Sequence, residues 1–516
     1  MGYRIEACWR EKLLWFYKSD NVTVTSWSLI FYPKVFQWWN MQGVVGVYSK
    51  DNAIQKALNV LYGVQHRGQE SSGMSAAGDH SIRTWKGEGL VSNVFRDQFK
   101  SFMHPNDYVA IGCASGENAN KGRLPPLELE SERFKIAIAL DGHVQERVSG
   151  LNEEVLGSLI LKKMDAGAEI DAAIAETMLE LPNTYFSMVM ALLDKDNERS
   201  ELIATRDKRG IRPLYLGSND EELFITSESA PIDVTETMGQ KIDKRRDVIP
   251  GSLIRRNENG LMELQLIEPK YAHCAFEWVY FGRPDSVIEG RNVHSVRKRL
   301  GHALVETHSL KKFYSNLYEP VDNLVVIPIP DSGRSVCVGV AEALGVTADE
   351  GVIKNAYLGR TYIIDDPEYR KIASDLKHNI IRETIKERRV IITDDSIVRG
   401  TVSESVAKNL IKAGAKGVDY LVSYAPIIHS CFSDPPDKVL AAAPYEGHSL
   451  PEIGDLVASN LPSINKVRYN SPENVIRAIG LPEGKLCTYC ITGKDPFKKD
   501  KHTKVVQGNR FSRAYE

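Results

Sequence analysis

Apolar and polar positions follow two different periods along the chain, and each change of period predicts an element. Gly43-Val44-Val45-Gly46-Val47-Tyr48 is a short apolar run with small residues, a strand at which other backbone approaches closely. Asn52 to Val64 follows, with Ile54, Ala57, Leu58 and Leu61 at helical spacing. The next stretch, Gln65-His66-Arg67-Gly68-Gln69-Glu70-Ser71-Ser72-Gly73, is polar or charged apart from its glycines, and predicts a site-organising turn rather than core. Gly210-Ile211-Arg212-Pro213 reads as a turn entering a strand at Leu214-Tyr215-Leu216, and Gly73, Gly142 and Gly210 are expected to fix turns. Further along, the apolar runs become continuous. Leu324 to Ile329 and Val390 to Thr393 predict buried parallel strands. The first ends in Pro330-Asp331-Ser332-Gly333 and a helix from Ser335 to Leu344. The second ends in Asp394-Asp395-Ser396-Ile397-Val398-Arg399-Gly400-Thr401 and a helix from Ser403 to Ala413, then Gly414 and a strand from Val418 to Ser423. Strand, loop, helix and strand form the unit of a doubly wound sheet. Ligands of such sheets sit beyond the carboxyl ends of the strands, where both polar loops fall.

Residues 1–40 lack either period, yet hold five of the seven tryptophans: Trp9, Trp15, Trp27, Trp38 and Trp39. Charges interrupt the stretch, so it is no signal peptide. It reads as an extension upstream of a start at Met41, with an aromatic docking arm as the alternative. Composition narrows the rest. The chain has 516 residues, 42% hydrophobic and 26% charged, which suits a soluble protein of several domains. A formal net charge of −3 argues against nucleic acid as the main partner. No window approaches the roughly 18 apolar residues of a membrane span. Seven cysteines, an odd and sparse set, fit a reducing, cytoplasmic compartment better than a disulfide scaffold.

The loop at 394–401 carries legible chemistry. Two adjacent aspartates at a strand end accept hydrogen bonds from vicinal sugar hydroxyls or hold a divalent cation. Ser396, Gly400 and Thr401 open a helix, whose N–H groups and dipole cradle a phosphate. An acidic pair beside a phosphate loop points to a phosphorylated sugar.

The strings "MQGVVGVYS", "LYGVQHRGQESSGM", "ALDGHV", "ATRDKRGIRPLYLG" and "ITSESAP" resemble the glutamine amidotransferase domain of the amidophosphoribosyltransferase family. "VIITDDSIVRGT" resembles the phosphoribosyl pyrophosphate (PRPP) signature of type I phosphoribosyltransferases. "FEWVYFGRPDSVIEG", "KNAYLGRTYI" and "LKHNIIRE" again resemble amidophosphoribosyltransferases. The resemblance implies an α/β protein of two domains. An N-terminal-nucleophile hydrolase-like αββα sandwich over 41–270 is followed by a type I phosphoribosyltransferase doubly wound parallel sheet over 271–480, with a tail over 481–516. It implies PRPP contacts from Asp331, Ser332, Gly333, Arg360, Lys377, Asp394, Asp395, Ser396, Ile397, Val398, Arg399, Gly400 and Thr401, and Mg2+ at Ser332, Asp394 and Asp395. It also implies homo-oligomers.

The front half departs from the family where its chemistry resides. The family's nucleophile is a cysteine directly after the initiator methionine; here that position holds Gln42, and an amide is no nucleophile. Cys113-Ala114-Ser115-Gly116 replaces the segment whose arginine grips glutamine, and Asp141 replaces the oxyanion-hole asparagine, where a carboxylate repels the developing charge. The glutaminase half is therefore expected to be inactive, with Cys113 a poor substitute because no terminal amine serves it. Two changes touch the back half: Ile364-Asp365-Asp366-Pro367 in the mobile loop and Phe432-Ser433-Asp434-Pro435-Pro436 after Cys431.

Cys487-Thr488-Tyr489-Cys490 is a C-x-x-C pair, open by itself to zinc, redox or neither. With Cys274 and Cys431 it matches the ligands of a [4Fe–4S] cluster in one branch of the family; zinc and free thiols stay open. Cys337 reads as core. The expected activity is phosphoribosyl transfer from Mg–PRPP to ammonia, giving 5-phosphoribosylamine at the entry to purine synthesis. Ammonia would come from solution or a partner glutaminase. The alternatives are a non-catalytic PRPP-binding regulator and a transferase with another acceptor.

Overall fold

Two antiparallel sheets stack face to face in the front half. The structure, a computed structural model, describes residues 41–116, 124–144, 151–181, 183–317, 323–355, 378–432 and 439–498. The predicted strand at 43–48 is Gln42–Tyr48, the fourth of seven. It lies between Leu223–Thr226 and Val109–Ser115, with Gln42 opposite Ser115. The second sheet has six strands, centred on Phe134–His143, Tyr185–Asp194 and Arg199–Arg206.

Residue alternation explains the stacking. In Phe134–His143, Ile136, Ile138 and Leu140 face outward into a core shared with the helices Asn152–Asp165 and Ile170–Glu180. Ala137 and Ala139 face inward, packing with Val44, Ile111, Val189, Leu202 and Ile225 between the sheets. Small residues on the inner face let two sheets approach, and the period of two assigns each side chain to a layer. The outer face of the seven-stranded sheet is covered by the helix Ala53–Gly63, through Ile54, Ala57, Leu58 and Leu61 as predicted. The order helix, sheet, sheet, helix is the αββα sandwich.

The back half is built on a four-stranded parallel sheet, in the order Leu324–Pro328, Arg389–Asp394, Gly417–Val422 and Lys466–Tyr469. Val325, Ile327, Val390, Ile392, Val418 and Tyr420 pack on one face with Val406, Leu410, Ile453 and Val457 from the helices Thr401–Lys412 and Leu450–Ser459. Leu324, Val326, Ile391 and Leu421 pack on the other with Leu304, Val336 and Val340, from the helices Val293–Thr307 and Arg334–Leu344. Both faces are covered, which is why these strands read as continuous apolar runs. Among the described residues no helix is long and apolar enough to cross a membrane.

Two expected turns are corrected. Gly73 lies within the strand Ser71–Ala77 and Gly142 within Phe134–His143. Each is small because backbone passes over it: a methyl group would sit 2.4 Å from the Pro125 carbonyl at Gly73 and 2.2 Å from the Tyr185 carbonyl at Gly142. Gly210 does occupy a turn, with φ 58°.

The helices Val293–Thr307 and Arg334–Leu344 touch through Gly301 and Gly339; a methyl group on Gly339 would lie 2.2 Å from the Lys298 carbonyl. In an open helix Gly→Ala gains up to about 1 kcal/mol. Here the clash wins, and Gly339→Ala is expected to lower unfolding free energy by about 1–3 kcal/mol, read from urea midpoints.

Candidate functional site

The two polar loops of the parallel sheet lie side by side. Leu324–Pro328 pairs with Arg389–Asp394 so that Pro328 stands opposite Thr393, and both chains leave the sheet at one edge. Ile329 N–H donates to the Thr393 carbonyl at 2.9 Å. Gly333 presses so close to that carbonyl that a methyl group would lie 2.2 Å away. The Ser332 hydroxyl donates to Asp394 Oδ1 at 3.4 Å, and Asp395 N–H donates to the same oxygen at 2.9 Å. Asp394 Oδ2 accepts from the Tyr420 hydroxyl at 2.5 Å, and Asp395 Oδ2 from the Ser396 hydroxyl at 2.7 Å. Burial and the neighbouring Asp395 push the Asp394 carboxyl well up, against the Tyr420 hydrogen bond.

The loop then turns back to the helix. Ile397 is buried, and the Val398 carbonyl accepts from Ala441 N–H at 2.7 Å. Gly400 takes φ 82°, a left-handed conformation that favours glycine, and Thr401 starts the helix. Arg399 and Thr401 are exposed. Asp331 is also exposed and accepts from Lys354 Nζ at 2.9 Å; burial raises its carboxyl, but Lys354 and Arg334 outweigh this and hold it below the usual range. Ser332, Gly333, Asp394, Asp395 and Ser396 are thus brought together. Arg360, Lys377 and the segment 364–367 lie outside the described residues, as do residues 1–40.

In the front half, the position read as a lost nucleophile is filled and closed. Gln42 is buried; its N–H donates to Asp141 Oδ1 at 3.2 Å and its side-chain amide to Glu153 Oε1 at 3.2 Å. Cys113 Sγ donates to Gln42 Oε1 at 2.9 Å. The polar stretch 65–73, read as a site-organising turn rather than core, is a short turn at Gln65–Arg67 that runs into core. Arg67 has no exposed surface, and Ser71, Ser72 and Gly73 belong to a buried strand. Arg67 donates to Glu228 (2.7 Å), Asp141 (3.1 Å) and both oxygens of Glu277 (2.9 and 3.1 Å). Arg212 also donates to Glu277 at 3.1 Å and lies 3.5 Å from Asp141, its guanidinium over the rings of Tyr185 and Phe281. His66 Nε2 is 2.7 Å from Glu228 Oε1. Burial raises the Glu228 carboxyl, but His66 and Arg67 outweigh it and hold the group far below the usual range. Glu277 opens a short π-helical turn, Glu277–Phe281, in the back half, so this cluster joins the two halves.

The four cysteines converge from three segments. Cys274 and Cys487 are register partners in a two-residue parallel pairing, and Cys490 Sγ lies 3.3 Å from the Tyr424 hydroxyl. Burial pushes the Cys487 thiol up, and Cys431 and Cys490 push it further. Cys274 is raised by burial and by Cys487 and Cys490, against Arg212. None of the four is in a disulfide, and among the described residues no three ligand side chains are arranged around a metal position. Cys337 is buried core, as expected.

No family model matches the chain. It is 32% identical over 483 residues to an amidophosphoribosyltransferase of Methanothermobacter thermautotrophicus, covering 88% of this chain and 94% of that protein. The corresponding protein of Archaeoglobus fulgidus is 32% identical over 482 residues, covering 88% and 98%. A solved glutamine PRPP amidotransferase from B. subtilis, complexed with ADP and GMP, matches at TM-score 0.73 and 28% identity, covering 90% of this chain and 98% of that one. The chain belongs to the amidophosphoribosyltransferase family. A structure of the allosteric regulatory enzyme of purine biosynthesis matches equally well, at TM-score 0.73, 29% identity and coverage of 90% and 97%. The sandwich and the doubly wound sheet are the two folds that the resemblance to amidophosphoribosyltransferases implied.

Sequence reasoning missed Glu277, Glu228, Glu153 and Tyr420. A lone carboxylate inside the apolar run Phe276-Glu277-Trp278-Val279-Tyr280-Phe281 was a signal, since such a group is buried only with a partner. Tyr420, inside Val418-Asp419-Tyr420-Leu421-Val422, gave none.

Removing Arg67 takes a guanidinium from three buried carboxylates, leaving Arg212 with Asp141 and Glu277 and His66 with Glu228. Arg67→Met is expected to lower unfolding free energy by about 3–5 kcal/mol in urea melts. Because the Glu228 carboxyl is depressed in the fold, its contribution is complete above its unfolded value of about 4.3 and fades as pH falls below it. Stability of Glu228→Gln should therefore fall less steeply with acidification than that of the unaltered chain.

Proposed function

We propose that this protein transfers the phosphoribosyl group of PRPP to ammonia, giving 5-phosphoribosylamine and pyrophosphate, and does not hydrolyse glutamine itself. One observation carries the reading. At the edge where the central strands end, an acid pair is hydrogen-bonded to the hydroxyls of Ser332 and Ser396, and a glycine-started helix follows a few residues on. The helix start and the hydroxyls of Ser396 and Thr401 receive the 5-phosphate. The loop Asp331-Ser332-Gly333 faces the pyrophosphate, and Asp395 meets the ribose hydroxyls. Pyrophosphate leaves C1 with its bonding electrons, positive charge develops on the ring, and the nitrogen lone pair of ammonia forms the new bond and then loses a proton. The acids stabilise that developing charge.

Magnesium fits this edge, because it takes oxygen ligands and needs only one or two carboxylates when substrate phosphates and water complete its shell. Ser332, Asp394 and Asp395 would hold it, and bound there it neutralises charge on the departing pyrophosphate. Cys274, Cys431, Cys487 and Cys490 would hold a [4Fe–4S] cluster. Support comes from their mutual influence and the pairing of Cys274 with Cys487, not from a formed ligand set: buried thiols that act on one another disfavour their own thiolates unless iron compensates the charge. A cluster there would pin the segment 486–492 to the strand at His273–Cys274. Glutamine hydrolysis is disfavoured because Gln42 and Asp141 stand at the positions that the resemblance gives to the nucleophile and the oxyanion-hole asparagine, and Asp141 is ion-paired with Arg67. A separate glutaminase or free ammonium then supplies the nitrogen, and homo-oligomeric assembly in a cytoplasmic compartment accords with the family.

The test is a paired assay on protein purified without oxygen. Pyrophosphate release from Mg–PRPP is expected with ammonium and not with glutamine, and Asp395→Asn should lower kcat/KM for PRPP by about a hundredfold or more. Glutamine-dependent release matched by glutamate would overturn the absence of a glutaminase. Binding without turnover on any amine would favour a regulator, and turnover with a different nucleophile a different transferase. About four iron and four labile sulfide per chain are expected, with loss of both in Cys487→Ser; zinc in their place would replace the cluster reading.

A further inference from the structure

Tyr420 sits in the middle of the strand Gly417–Val422, level with Ile392 of the neighbouring strand, and has no exposed surface. Its ring packs in the apolar face of the sheet among Val390, Ile392, Val418 and Val457. That environment gains nothing from a hydroxyl, and a buried hydroxyl is unfavourable unless it finds a partner. Here it donates to Asp394 Oδ2 at 2.5 Å, with the side chain of Ser403, in the first turn of the helix Thr401–Lys412, close by.

A carboxylate turns easily about its last bond, because that torsion is broad. Asp394 does not have that freedom. Tyr420 holds one oxygen, while Asp395 N–H and the Ser332 hydroxyl hold the other. Its plane is set by donors from three separate pieces of chain. Each donor in turn sets a neighbour: the peptide that orients Asp395, the hydroxyl on the adjacent loop, and, through Ser403, the start of the phosphate helix.

We propose that Tyr420 is a positioning residue for the phosphoribosyl donor. Its hydroxyl locks the Asp394 carboxylate and, through it, the relative placement of Ser332, Asp395 and the helix start, so that ribose, pyrophosphate and 5-phosphate are met by one prearranged surface. Tyr420 touches no substrate atom. The assignment rests on the reading that this edge binds Mg–PRPP.

The same apolar cluster supplies a matched control. Tyr469, on the next strand, is equally buried, and its hydroxyl has no hydrogen-bond partner among the described residues. Calorimetric PRPP titration and ammonium-dependent pyrophosphate release are compared for the full chain, Tyr420→Phe, Ser403→Ala and Tyr469→Phe, with circular dichroism to verify folding. Losing a hydrogen bond to a charged group should weaken PRPP binding and raise its KM by about tenfold or more in Tyr420→Phe. Its kcat should stay within about threefold. Ser403→Ala should shift KM in the same direction by less, and Tyr469→Phe should leave it unchanged. Unaltered PRPP affinity in folded Tyr420→Phe overturns the assignment alone, as does an equal loss in Tyr469→Phe. If Tyr420→Phe does not fold, unaltered KM in Ser403→Ala overturns it. If the unsubstituted chain binds no PRPP, the reading of the edge fails and the assignment falls with it.

Discussion

An arginine with no exposed surface must find its counter-charges inside the protein, and Arg67 finds three. Asp141 comes from the second sheet, Glu228 from the chain just after the first, and Glu277 from the turn that opens the back half. A buried guanidinium tolerates no slack, because losing one partner leaves charge in a medium that cannot solvate it. The three segments are therefore tied to one point. Arg212 repeats the bond to Glu277 from the other side. Gln42 lies against this joint with its own amide engaged by Glu153.

The two acidic clusters differ in what balances them. At the joint, carboxylates are met by cations: His66 and Arg67 hold Glu228 ionised, and little is left for a ligand to add. At the sheet edge, Asp394 and Asp395 stand beside each other with hydroxyl and N–H donors. Arg297 lends its field to Asp395, yet its hydrogen bonds go to the carbonyls of Trp278 and Gly282. Two adjacent acids without a guanidinium between them, Asp394 buried with its carboxyl pushed up, are a poor structural device, which supports the proposal that they receive a cation and sugar hydroxyls. On that proposal the same residue type is mortar in one half and a site in the other.

Much of this fold was legible beforehand, and the reasons are local. The strands at 324–329 and 390–393 and their helices were visible because both faces of a parallel sheet are covered, which makes the runs continuous. The loops after them were visible because polar residues at such strand ends have few structural uses. Local pattern failed where the partner is distant in sequence. Nothing near Arg67 shows that its partners lie 74, 161 and 210 positions away, so a stretch of polar residues reads as a turn and not as core. Gly73 and Gly142 look like turn residues for the same reason: the chain that passes over them is remote.

Tyr420 shows how far that limit extends. Within its own strand it is one more bulky residue in a core, and its hydroxyl acquires meaning only because the parallel register sets it two positions from Asp394 on the neighbouring strand. Tyr469 has the same ring and the same burial, but no such neighbour. Chemistry at this edge is thus decided by register as much as by residue type. On the proposed reading, the acids supply charge, the sheet sets their angle to the helix at Thr401, and the Tyr420 hydroxyl in the core fixes the carboxyl of Asp394 in that frame.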